Sequence, residues 1–212
     1  SDVCSSDLYQ DALSATITQA IAAAKVPHVV LLSSIAAELP GGTGPIAGLH
    51  VFENRLRALG TTKSTFLRAG YFMENLASSL GAVAQGIFPS MGSADAGIDM
   101  VATEDIGELA AKLLVEGARE TTVVNLGGPS VTMREVAALA SKIAGKEIAL
   151  QEIPLDAVAP TLESFGFPPG LAKLYREMIG AFGDGTIRWE AGHRRLQGKT
   201  SIEAFLRTAL AG

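Results

Sequence analysis

The residues best suited to chemistry lie between His28 and Asn75. Ser33 and Ser34 close an apolar run, HVVLLSS, and Gly70–Asn75 (GYFMEN) follows a second, TFLRA. Two hydroxyls, an aromatic pair, a carboxylate and an amide are thereby gathered at what read as two strand ends. Hydroxyls and amides hydrogen-bond carbonyl or ribose oxygens, and aromatic rings pack on flat ligands. Between the runs, LHVFENRLRALG carries His50 and Glu53 on a stretch whose Leu49, Phe52, Leu56 and Leu59 recur at helical spacing. A neutral imidazole at His50 can donate to a hydroxyl without bringing a permanent charge. Glu53 reads as a solvated charge on the helix face.

Elements that would position these groups alternate along the chain. Leu13, Ile17, Ala20, Ile21 and Ala24 give residues 10–25 a helical period that Pro27 stops. HVVLLS is a continuous apolar run, as in a parallel strand covered on both faces, and Thr65–Arg68 is the next strand. Ligands of open parallel sheets bind outside the carboxyl ends of the strands. Ser33, Ser34 and Gly70–Asn75 sit at those ends, which makes this region look like the nicotinamide side of a dinucleotide site.

Glu74–Val83 is expected to be helical, followed by a Gly-rich excursion from Gly86 to Gly97. Asp99–Ala102 is a short strand. Thr103 is then expected to cap a helix with Glu104 and Asp105 in its first turn, running to about Glu116. TVVNLGG (122–128) is a strand, Thr132 and Glu135 have capping-box spacing at the head of another helix, and Ile148–Ile153 is a further strand. After Pro154 the alternation fades. Segments 155–165, 170–181 and 200–210 look helical, the last with a Thr200/Glu203 box. Trp189 and FGFPPG (165–170) in this tail could line a substrate pocket, although aromatic residues and prolines in a helical cap more often serve packing.

The expected fold is α/β: a partial Rossmann-type parallel sheet over residues 9–153, its first βαβ units missing, with a small, mostly helical cap over 154–212. No strand is followed by the G-x-G-x-x-G turn that brings backbone against a diphosphate. GGTG at 41–44 precedes Pro45, lacks phosphate-loop spacing, and reads as a mobile surface loop over the strand ends. Ser1–Leu8 (SDVCSSDL) resembles the translation of a sequencing-adapter oligonucleotide, and such segments are set aside from fold reasoning. The chain is accordingly expected to be a piece of a longer protein whose own sequence begins near Tyr9.

In 212 residues, 48% are hydrophobic and 18% charged, as in a globular chain, and the net charge of −5 offers no basic footprint for nucleic acid. No uncharged apolar run is long enough to span a bilayer. The single cysteine, Cys4, and three scattered histidines, His28, His50 and His193, offer no metal-ligand pattern. A cytoplasmic location is the default expectation.

Taken in order, VPHVVLLSS, GTGP, the H-x-x-E of His50 and Glu53, FLRAGYFMENL, MVATEDIGELAAKLL and NLGGPSVTMREVAALASKIAG resemble the NmrA-like branch of the atypical short-chain dehydrogenase/reductases. The resemblance runs over residues 9–210. It implies NADP(H), or NAD(H), as cofactor of the whole protein. Ser33, His50, Gly70, Tyr71, Phe72, Met73, Glu74 and Asn75 are then the cofactor-binding candidates, and Ser33 and Ser34 stand where the superfamily places a substrate-binding hydroxyl. At the His50 position relatives often carry a lysine near the nicotinamide ribose.

The superfamily's Tyr-x-x-x-Lys pair is absent: four residues after Tyr9, Tyr71 and Tyr175 stand Leu13, Asn75 and Ile179. The usual proton-transfer residues are thus missing, and the catalytic residues stay unassigned. The resemblance implies an NAD(P)H-dependent reductase of a quinone or small carbonyl compound. The alternative is a non-catalytic NADP-sensing regulator acting through a protein partner. The chain taken alone is expected to be inactive, to bind NADPH poorly, and to self-associate along the open sheet edge.

Overall fold

A computed structural model describes residues 3–211, with side chains from Tyr9 to Ala211. Ser1, Asp2 and the Cys4 side chain lie outside the described residues. Helix α1 (Val3–Ala23) leads through Pro27 into β1 (His28–Ser34). It begins seven residues before the expected start at residue 10, inside the SDVCSSDL stretch. Then follow α2 (Ala47–Ala58), β2 (Lys63–Ala69), β3 (Tyr71–Phe72), α3 (Ala77–Leu80), β4 (Ile87–Met91) and β5 (Ile98–Val101). After them come α4 (Thr103–Glu116), β6 (Thr122–Gly127), β7 (Ser130–Val131), α5 (Met133–Ala144) and β8 (Ala149–Ile153). Helices α6 (Leu155–Ser164) and α7 (Pro169–Gly183), strand β9 (Arg194–Gln197) and helix α8 (Ile202–Ala211) complete the chain.

The main sheet is parallel in the order β1-β2-β6-β9. Its centre is β2, in which Ser64 to Ala69 are all buried. Successive side chains of a strand point to opposite faces, and both faces here are covered. Phe66 and Val123, with Val29 and Leu31 of β1, pack against Leu56 and Phe52 of α2. Leu67, Ala69, Val124 and Leu126 pack against Ile106, Leu109 and Leu113 of α4. Burying a side chain such as Phe66 contributes about 2–3 kcal/mol. β3 and β7 flank β5 in a second sheet, and β4 pairs with β8 in a third. A further core, which includes Met73, Phe88, Met100, Val136 and Leu206, joins these small sheets to α5 and α8.

Three expectations about elements are corrected. Segment 74–83 is no single helix: 3₁₀ turns at Met73–Leu76 and Val83–Gln85 bracket the four-residue α3, and Gly86 ends them in the left-handed region at φ 77°. Within the Gly-rich excursion Ile87–Met91 forms β4, because its buried Phe88 and Ser90 alternate with more exposed neighbours. The mostly helical tail holds a strand that was not expected, β9, which returns to pair with β6 as the fourth strand of the main sheet. Among the described residues no helix is long and apolar enough to cross a membrane. Nor does any group of three His, Cys, Asp or Glu stand ready to hold a metal ion.

Candidate functional site

Three parallel strands finish at one level. Ser34 of β1 is in register with Ala69 of β2, and Ala69 with Leu126 of β6. Past these ends Ile35 N donates to Ala69 O (2.9 Å) and Gly70 N to Leu126 O (2.9 Å). Gly70 is where β2 becomes β3, and a Cβ there would collide with the Asp99 carbonyl. Only glycine fits that crossing.

A cavity of ≈ 690 Å³ opens over the strand ends. Ser34, Gly70, Tyr71, Phe72 and Asn75 line one side of it. The opposite wall is the helical tail: Leu162 and Phe165 near the end of α6, and Tyr175, Met178 and Phe182 of α7. Tyr71 meets Phe182 edge to face, with centroids 6.1 Å apart, and so ties sheet to cap. Phe165, 70% exposed, is at the rim. Trp189 instead packs over Gly127 and donates to Asp99.

The remaining candidates act behind this wall. Met73 is 1% exposed in the core. The Glu74 carboxylate accepts from Thr103 N (2.9 and 3.1 Å) and Thr103 Oγ1 (2.7 Å), so it caps α4 across 29 residues. Thr103, expected to be that cap, lies inside the first turn. The His50 imidazole donates from Nδ1 to Ala37 O (3.1 Å) and accepts at Nε2 from the Asn54 amide (2.9 Å). Both ring nitrogens are engaged, which selects the Nδ1–H neutral tautomer. His50 thereby pins the turn after β1, where Ala36 adopts φ 63°.

Ser33 does not face the cavity either. Its hydroxyl donates to Glu53 Oε1 at 2.6 Å. Glu53 is 0% exposed rather than solvated. Arg68 forks onto both its oxygens (Nε–Oε1 2.9 Å, Nη2–Oε2 2.8 Å), and Arg57 adds a bond of 2.8 Å. Through Nη1, Arg68 also reaches Glu38 (2.9 Å) and Glu190 (2.6 Å). Burial alone would raise the Glu53 pKa, but the hydrogen bonds from Arg68 and Ser33 and the nearby positive charges together hold it below its ordinary value. The cluster fastens β1, α2, β2 and the segment before β9 directly beneath the site. Arg68 was the missed residue, and its signal was a charge inside an apolar strand, which must find a partner once buried.

GGTG is likewise not a free surface loop. Thr43 is fully buried, and Gly44 turns at φ 59° with its backbone against the carbonyl of Leu174 on α7. The loop docks the cap.

Chemically the cavity is uncharged: no Asp, Glu, Lys, Arg or His is among its lining residues. Burial, with Tyr175 nearby, pushes the Tyr71 pKa up to about 12, so it stays a neutral phenol near pH 7. The arrangement suits a flat, apolar molecule bearing a few hydrogen-bonding oxygens.

The NmrA-like family matches residues 10–206, from within α1 to within α8. The chain belongs to the NmrA-like family. Among its relatives, quinone oxidoreductase 2 of Escherichia coli (strain K12) is 32% identical over 163 residues, 74% of this chain and 55% of that protein. A (4-alkanoyl-5-oxo-2,5-dihydrofuran-3-yl)methyl phosphate reductase of Streptomyces griseus is 27% identical over 161 residues, 75% of this chain and 56% of that protein. The chain therefore spans just over half the length of these relatives.

Among solved structures, the NADPH-dependent quinone oxidoreductase of Escherichia coli complexed with NADPH superposes with a TM-score of 0.76 at 25% identity, over 91% of this chain and 69% of that one. The triphenylmethane reductase of Citrobacter sp. complexed with NADP(H) shares the fold, with a TM-score of 0.76 at 21% identity over 96% of this chain and 72% of that one.

Proposed function

We propose that the protein is an NAD(P)H-dependent oxidoreductase that reduces a quinone or a small carbonyl compound. One observation carries this reading: the cavity at the strand ends is uncharged and walled by aromatic and aliphatic side chains, with Gly70, Tyr71, Phe72 and Asn75 on its sheet side. The kinship with a quinone oxidoreductase and a reductase of an unsaturated lactone supports it.

The residues present fit the nicotinamide end of such a cofactor. Tyr71 and Phe72 would hold its planar ring, and Asn75, whose side chain both donates and accepts, would hold its carboxamide. Gly70, without a side chain, leaves the approach open. Bound there, the cofactor would supply the hydride that, with one proton from water, a quinone needs to become its hydroquinone. The chain's own contribution is to position the two rings between the strand ends and α7. With no Asp, Glu, Lys, Arg or His lining the cavity and Tyr71 held as a weakly acidic phenol, an acceptor that takes its proton from water is favoured over one needing general acid catalysis. Ser33, His50, Met73 and Glu74 hold that wall in place from behind.

The test is quinone-dependent oxidation of NADPH by this chain, with reduced nicotinamide mononucleotide as a second donor. Because the sequence offers no G-x-G-x-x-G turn for a diphosphate, the chain alone is expected to be inactive at micromolar donor and to turn over only slowly at millimolar donor, at similar rates for both. No quinone-dependent oxidation with either donor would overturn the reading. Saturable binding without turnover would instead favour a sensor that works through a protein partner.

A further inference from the structure

We propose that the Ser90 hydroxyl is the hydrogen-bond donor that receives the substrate's carbonyl oxygen in this cavity. The inference rests on the reductase reading and assigns a specificity residue to it. Ser90 lies on β4, on the same face as the core residue Phe88. It lines the cavity yet is 4% exposed, and its Oγ has no hydrogen-bond partner. Three other buried side-chain oxygens share that condition, Thr43 Oγ1, Ser64 Oγ and Asn125 Oδ1, but none of those residues lines the cavity.

A buried hydroxyl without a partner is a standing cost to the fold, and alanine would fill the position without it. Its neighbours sharpen the contrast. Met91, Ile98, Ile153 and Ile179 supply apolar lining. The Ser79 hydroxyl is engaged by Pro89 O at 2.7 Å, and Ser93 Oγ accepts from Asp95 N at 3.3 Å. Of Ser33 and Ser34, the hydroxyls expected for this role, Ser33 is held by Glu53, while Ser34 lines the cavity from the end of β1. Gly92, two residues beyond Ser90, comes so close to α7 that a Cβ would lie 2.5 Å from Ile179 Cγ2. Cap and β4 therefore close on each other beside Ser90. A hydroxyl donor in an apolar pocket favours a ligand that brings an acceptor. The ligand class is a planar apolar ring with a carbonyl: a quinone or aryl ketone.

Binding of 1,4-naphthoquinone and of naphthalene to the full chain, measured by calorimetry without any nicotinamide donor, tests this directly. Wild type is expected to prefer the quinone by about three- to tenfold, the worth of one neutral hydrogen bond. Ser90→Ala should erase that preference, leave naphthalene affinity unchanged, and keep the thermal midpoint as high as wild type or higher. Quinone affinity unchanged in Ser90→Ala would overturn the proposal, as would failure of wild type to bind the quinone. So would a drop in the midpoint large enough to show that the hydroxyl supports the fold. If binding behaves as expected but no donor is ever oxidised, the reductase reading fails and the Ser90 contact stands.

Discussion

Glu53 and Arg68 are each almost wholly inaccessible, and neither is tolerable alone. Removing one partner of a buried pair costs about 3–5 kcal/mol, whereas replacing both by apolar residues of similar volume is often neutral. Glu53→Gln is therefore expected to lower stability by about that amount in urea titrations. Because the folded-state pKa of Glu53 lies below the ordinary 4.5, the unfolded chain binds more protons as the pH falls through that range. The pair's contribution is thus complete above about pH 4.5 and is lost as pH falls through the lowered folded value. Titrations across the acid range should show a shallower pH slope for Glu53→Gln than for wild type, and equal slopes would show that the pair does not govern acid unfolding. The same residues mark how far the site was legible. Gly70, Tyr71, Phe72 and Asn75 reach the cavity because they follow directly from a strand end. Met73 and Glu74 point elsewhere because a 3₁₀ turn rotates each successive side chain by about a third of a circle.

Helix starts show the same division between local and distant partners. Thr132 and Glu135 form the expected capping box, with Glu135 N to Thr132 Oγ1 at 3.1 Å and Thr132 N to Glu135 Oε2 at 2.7 Å. Both partners lie within four residues, so the motif was readable. At α8 the cap is Ser201, which accepts from Ala204 N at 3.1 Å, while Thr200 N donates to Asp105 Oδ2 at 2.9 Å. The tertiary bond to Asp105 displaced the expected Thr200 box. The start of α4 depends on Glu74, a partner that no local pattern could reveal. Glu74→Ala is expected to cost about 1–2 kcal/mol, from loss of a cap and of a carboxylate at the positive helix end. Affinity for reduced nicotinamide mononucleotide should stay unchanged. Weaker donor binding at unaltered stability would instead make Glu74 a cofactor contact. Strand β9 was invisible for a related reason: RRLQ is an edge strand whose residues are mostly exposed, so it lacks an apolar run and announces itself only by pairing with β6.

At the scale of the molecule the parallel order leaves β1 at one edge of the main sheet, with no strand on its outer side among the described residues. An edge strand presents a row of free N–H and C=O groups, and proteins usually blunt it with charge, proline or a covering segment. Here the edge is apolar: Leu32 of β1 is 45% exposed, and Leu114 and Val115 of α4, which packs on β1, are 55% and 89% exposed. Burying such side chains against a second copy returns about 25 cal/mol per Å² of apolar surface, and the unsatisfied backbone edge gives that contact a direction. Self-association is therefore expected, growing with concentration in sedimentation velocity. Leu32→Lys should shift the chain toward monomer, because a charge on an edge strand opposes pairing. Its thermal midpoint at low concentration should barely change, since the side chain is already half in solvent. A wild-type chain that stays monomeric across the concentration range would mean that the edge is protected. An association that survives Leu32→Lys would move the interface to another face of the molecule.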